Sequence, residues 1–157
     1  MENTQQFPKT SLDRILFCTD FSQNADFAFN YAVDAAMKRE NAKLYLLHVI
    51  PESESQFWKQ YIYEVEGVDI KAKHDIDARI EEAYRSKLPA GMEMEVQCRV
   101  GKDSEQILEY AREMDIDLIV LGRQGHGSLT KALSGNVSEK IVRKAHCAVM
   151  VIPYSNE

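Results

Sequence analysis

The residues whose types and spacing suit chemistry stand together between positions 122 and 138. Gly122, Gly125, Gly127 and Gly135 fall within fourteen positions, and glycine lets a backbone approach a ligand with no Cβ in the way. Arg123, His126 and Lys131 can add positive charge, and Ser134 and Ser138 offer hydroxyl donors. The loop follows an apolar run, Asp117-Leu118-Ile119-Val120-Leu121, and leads into Val137, Ile141 and Ala145 at helical spacing. A helix N-terminus presents unpaired N–H groups and the positive end of the helix dipole, both favourable to an anion. The chemistry implied is phosphate binding. Two other phosphate loops are excluded. Gly122-x4-Gly127 has Walker A glycine spacing, but Ser128 stands where the lysine is needed. Gly125-x-Gly127 is followed by Thr130 in place of the third glycine of a dinucleotide fingerprint.

Other polar residues carry weaker signals. Asp20 ends an apolar run and can accept a hydrogen bond from a ligand hydroxyl or amine, or cap the helix that follows. No Asp or Glu lies between 122 and 138, so the loop supplies no general base for phosphoryl transfer, which also needs metal and a positioned water. Any hydrolysis should be slow, and no residue is assigned a catalytic or metal-ligating role. His48 lies in an apolar strand and reads as a core histidine, and His126 reads as a loop residue. Phe57, Trp58, Tyr61 and Tyr63 read as packing or a lid.

The elements that must position these residues follow from periodicity. Ile15 to Thr19, Leu44 to Ile50, Asp117 to Gly122 and Ala148 to Ile152 are short apolar runs, read as buried strands. Met94 to Val100 alternates with period two, which suits a strand near a sheet edge. Ser22 caps a helix with a stripe of Ala25, Ala28, Phe29, Ala32, Val33 and Ala36. Val68 to Leu88 reads as a second helix. Asp103, with Gln106 three residues on, reads as a capping box for a third. The order β-α-β-α-β-α-β-α-β, with most strands near-continuous apolar runs, predicts an α/β fold: one doubly wound parallel sheet covered by helices on both faces. Ligands of such sheets bind beyond the carboxyl ends of the strands. The loops of interest follow Thr19, Ile50, Val100 and Leu121.

Composition narrows the function. The 157 residues fit one domain, with a core over about 12–154 and a polar tail at 1–11. A net charge of −6 argues against a nucleic-acid partner, which usually meets a basic footprint. The start carries no apolar signal core, and no run approaches the ~18 apolar residues of a membrane span. Cys18, Cys98 and Cys147 have no metal-type spacing and read as reduced core thiols in a cytoplasmic protein.

The spacing Gly122-x2-Gly125-x9-Gly135, opening a helix before a short apolar strand, resembles the ATP-binding subgroup of the universal stress protein (UspA-like) family. The resemblance extends to Asp20 with Ser22, to the Val100-Gly101 turn and to Ala145-His146-Cys147-Ala148-Val149. It implies a five-stranded sheet of order 3-2-1-4-5, like that of adenine nucleotide alpha hydrolases. It implies a regulatory protein of the stress response that binds ATP or a related adenine nucleotide, with or without Mg. Alternatives are a nucleotide-free dimeric scaffold or a slow ATPase. Carried over by residue, Thr19 and Asp20 would approach adenine and ribose, and Val49 would pack on the adenine face. Gly122, Gln124 and Gly125 would line ribose and α-phosphate. Gly135, Asn136, Val137 and Ser138 would hold the distal phosphates. Asn136 stands where the family usually has Ser or Thr, which shifts or weakens a phosphate contact while keeping a good helix cap. A homodimer through the last strand, Val149 to Ile152, is also implied.

Overall fold

Four apolar runs and one alternating segment become five parallel strands in the computed structural model, which describes residues 10–51, 68–123 and 137–153. The strands are β1 (Arg14–Thr19), β2 (Lys43–Ile50), β3 (Met94–Val100), β4 (Leu118–Gly122) and β5 (Ala148–Ile152). Between them lie α1 (Gln23–Met37), α2 (Val68–Ala83), α3 (Asp103–Glu113) and α4 (Val137–Lys144), with a short 3-10 turn, Arg85–Lys87, after α2. Spatial order is β3-β2-β1-β4-β5, as expected, and every pairing is parallel.

Alternate residues of the strands feed two cores. Ile15, Phe17, Leu44, Leu46, Leu118 and Val120 pack with α1 and with Ile80 and Tyr84 on one face. Leu16, Cys18, Tyr45, Leu47, Ile119 and Leu121 pack with Ile107, Tyr110, Ala111 and Ile141 on the other. Each large side chain so buried is worth roughly 1.5–3 kcal/mol. The alanine stripe of α1 is buried as predicted. Ser22 is its N-cap, its hydroxyl accepting from the Ala25 N–H at 3.2 Å.

One local expectation is corrected. Asp103 is not the cap of α3: Lys102 holds that position without a side-chain hydrogen bond, and Asp103 opens the helix proper. Gly101 explains the shift. Its φ of +149° is a region that L side chains rarely adopt, and an added Cβ would lie 3.1 Å from Gln106. Gln106 therefore lies over the glycine instead of reaching back to close a capping box. The Gly101 N–H donates to the Ile50 carbonyl at 3.0 Å, which fastens the start of α3 to the end of β2.

Candidate functional site

The helices divide between the faces at one place. The α1 and α2 layer covers one face and the α3 and α4 layer the other, so β1 and β4, neighbours in the sheet, are followed by helices on opposite sides. A crevice opens at such a switch point, beyond the carboxyl ends of the strands. Here it is a half-open cleft. Leu47, Val49, Ile107, Leu121 and Val137 give it an apolar lining, and Asp20, Ser22, Asp103 and Ser138 give it polar points.

Six of the ten residues singled out in the sequence line this cleft: Thr19, Asp20, Val49, Gly122, Val137 and Ser138. They come from three strand ends and one helix start. The other four, Gln124, Gly125, Gly135 and Asn136, lie outside the described residues, as do the aromatics Phe57 to Tyr63.

Within the cleft the side chains do different jobs. Asp20 Oδ1 accepts the Ser22 N–H at 2.9 Å, so part of the carboxylate shapes the turn into α1. Thr19 borders the cleft, yet its hydroxyl is 95 % buried with its residue and committed elsewhere. It accepts the Phe21 N–H at 2.9 Å and meets the Tyr84 hydroxyl. Tyr84 donates its own proton to Asp26 Oδ1 at 2.7 Å, so Thr19 is the donor to Tyr84. The Thr19 carbonyl accepts from His48 Nδ1 at 2.9 Å, which fixes the proton on that ring nitrogen; the histidine is satisfied as expected but half-buried, not in the core. The hydroxyl of Thr19 thus positions the β1–α1 turn.

That turn is under strain. Phe21 has a φ of 62°, a left-handed conformation unusual for a bulky residue and costing of order 1–3 kcal/mol. Its ring is held 4.6 Å from His48 and 4.2 Å beneath the Arg79 guanidinium.

Gly122 also has a structural duty. A Cβ there would lie 2.6 Å from the Asn24 carbonyl oxygen and 3.1 Å from the Ala25 nitrogen. Glycine is required because the first turn of α1 rests on the end of β4. Asn24 Nδ2 donates to the Arg123 carbonyl across the same contact.

Asp103 was missed as a site residue. The sequence marked it only as a helix-start acid, although the loop after Val100 was flagged. Its Oδ1 accepts its neighbour's N–H, from Ser104, at 2.7 Å. It lines the cleft, and its Oδ2 is buried with no hydrogen-bond partner among the described residues. Burial pushes this carboxyl above its usual range; Asp20 across the cleft adds to the rise, and the Ser104 N–H and the Lys140 ammonium oppose it. Cys18, also on the wall, is pushed up by burial and is an inert thiol.

Comparison with known proteins gives the family. Residues 11–153 match the universal stress protein family. A Staphylococcus aureus (strain USA300) protein named as a universal stress protein is 33% identical over 141 residues, covering 88% of this chain and 82% of that one. The structure of UspA from Lactobacillus plantarum is 26% identical with a TM-score of 0.67, over 92% of this chain and 99% of that one. A universal stress protein solved in complex with cAMP is 21% identical with a TM-score of 0.60, over 93% and 100%. The chain belongs to the universal stress protein family.

Proposed function

We infer that the cleft binds an adenine nucleotide and that the protein is a nucleotide-dependent regulator of the stress response in the cytoplasm. One observation carries this reading. Thr19, Asp20, Val49, Gly122, Val137 and Ser138, chosen from sequence as nucleotide contacts, line one cleft at the switch point of the sheet. A relative with the same fold was solved with cAMP, an adenine nucleotide. The cleft's chemistry suits such a ligand: an apolar wall for the base, carboxylates for amino or hydroxyl donors, and the start of α4 for phosphate. Gln124 and Gly125 are proposed at ribose and α-phosphate. Gly135 and Asn136 are proposed, with Val137 and Ser138, at the phosphates beyond.

ATP is the ligand proposed first, with magnesium entering on its phosphates. Among the described residues no group of three or more His, Cys, Asp or Glu side chains comes together to hold a metal. Binding without rapid turnover is the favoured reading, since Asp20 and Asp103 each spend one carboxylate oxygen on a turn amide. A homodimer through β5 is part of the same proposal. Calorimetry with ATP, ADP and AMP, with and without magnesium, tests it. Saturable binding of at least one is expected; no heat from any at high protein concentration sinks the reading and leaves a nucleotide-free scaffold.

A further inference from the structure

Asp103 presents a feature the family spacing does not explain. Asp103 lines the cleft, and its Oδ2 is buried with no hydrogen-bond partner among the described residues. A buried, unsatisfied acceptor is costly, more so when charged. Such groups are rare in native proteins, and each calls for a reason such as a functional role or a bound partner. The backbone places this oxygen by design: Gly101 makes the turn, its N–H is anchored on Ile50, and Asp103 follows two residues later at the first position of α3. Ile50 adjoins Val49, the residue expected against the base. Ser138, expected at phosphate, belongs to α4 beyond β4. Asp103 therefore stands between the end of β2 and α4, close enough to Lys140 to be attracted by it, and a carboxylate oxygen there can pair only with a donor, which the base and sugar carry.

We propose that Asp103 is a ligand-recognition residue of the cleft, its Oδ2 accepting a hydrogen bond from an N–H or O–H of the base or sugar. This rests on the adenine-nucleotide reading and deepens it. Asp20 and Asp103 then form two acceptors in one apolar cleft, a pairing that favours the donor-bearing part of a nucleotide over its phosphates. Lys140, which attracts Asp103, keeps the pair from being wholly uncompensated. A site built to accept a donor rejects an analogue lacking it, because the acceptor is then left unpaired.

The test crosses protein and ligand changes. AMP, 2′-deoxy-AMP, 3′-deoxy-AMP and purine riboside monophosphate, which lacks the 6-amino group, are titrated calorimetrically into wild type and Asp103→Asn. Asn can keep the Ser104 contact but places an amide donor where the ligand's donor would sit. Asp103→Ala repeats the measurement without that donor, and thermal melts confirm that both variants fold. Wild type should bind AMP at least tenfold more tightly than either variant, and the difference should vanish for one analogue, which identifies the donor. The control Glu105→Gln, an exposed charge on the same helix, should match wild type. Equal AMP affinity in wild type and Asp103 variants overturns the inference while leaving the nucleotide reading intact. So does an equal loss for all four ligands, or tighter binding by the variants. Wild type that binds none of them overturns both.

Discussion

At the scale of single residues, Gly122 and Asp103 illustrate how a site residue can answer to two demands. Glycine at 122 fits a loop that approaches phosphate, but the structure gives a prior reason: α1 leaves no room for a Cβ. Gly122→Ala should therefore destabilise the ligand-free protein by about 1–3 kcal/mol, the usual cost of overpacking. For a domain of this size that lowers Tm by about 2–4 °C per kcal/mol. Melting curves without nucleotide check it; an unchanged Tm would show that α1 yields freely and would return Gly122 to a purely ligand role. Asp103 carries a pH prediction. Burial raises its folded-state pKa, so the folded protein holds this proton more tightly than the unfolded chain, whose carboxyl titrates near 3.9. Such a group destabilises the fold once pH exceeds the folded pKa and ceases to do so below the unfolded one. Asp103→Asn should melt higher than wild type at pH 7, with the gap closing as pH falls toward about 3.9. A gap that widens on acidification contradicts the assignment. The sequence displayed both residues, but not these roles. Crowding at Gly122 comes from a helix some hundred positions earlier, and Asp103 reads locally as an ordinary helix-start acid.

At the scale of elements, four strands were legible as short apolar runs between clear stops and β3 by its alternation, while their order in the sheet came from the family resemblance. Ser22 was legible as a cap because capping is decided within four residues. The ties between elements were not legible, since nothing local marks them. Asp117 accepts the N–H groups of Asp13 and Arg14 at 3.1 and 2.9 Å, joining the start of β4 to that of β1 across more than a hundred positions. Tyr84 lies just beyond α2, fully buried. It links Asp26 of α1 to Thr19 of β1, and its ring packs 5.1 Å from Phe17 and 4.9 Å from Phe29. Tyr84→Phe would keep the packing and strip the hydroxyl from between the buried Thr19 and the exposed Asp26. The expected loss is about 1–3 kcal/mol of stability, read from urea denaturation. Thr19 would then lose the contact that fixes the strained turn at Phe21, and with it the pose of Asp20. Nucleotide affinity should fall as well, although Tyr84 is absent from the cleft lining. Unchanged affinity alongside reduced stability would separate the turn from the site.

At the scale of the whole molecule, the sheet has two edges, and they differ in how they are finished. β3 alternates polar and apolar residues, with Glu95, Gln97 and Arg99 among them, the kind of edge that resists pairing. β5 reads Ala-Val-Met-Val-Ile, and the helix packed beside it exposes Val142 at 57 %. An apolar edge of this kind invites cover. The direction of its free groups can be worked out. Ala148 donates to the Asp117 carbonyl and Ile152 accepts from the Arg123 N–H, so both face β4. Because backbone groups alternate sides along a strand, Met150 faces β4 too, while Val149 and Val151 turn their N–H and C=O toward the open edge. A second copy of β5 could take them up, which is the dimer proposed above. Proline is tolerated in a sheet where its missing N–H would have faced outward from an edge strand. Val151→Pro should therefore spare the β4–β5 ladder and remove a donor from the dimer seam. Light scattering should show wild type as a dimer and the variant as a monomer, with circular dichroism unchanged in shape. Wild type that stays monomeric at high concentration defeats the dimer. A variant that stays dimeric moves the interface away from β5, and Val142→Lys then asks whether the α4 surface carries it instead.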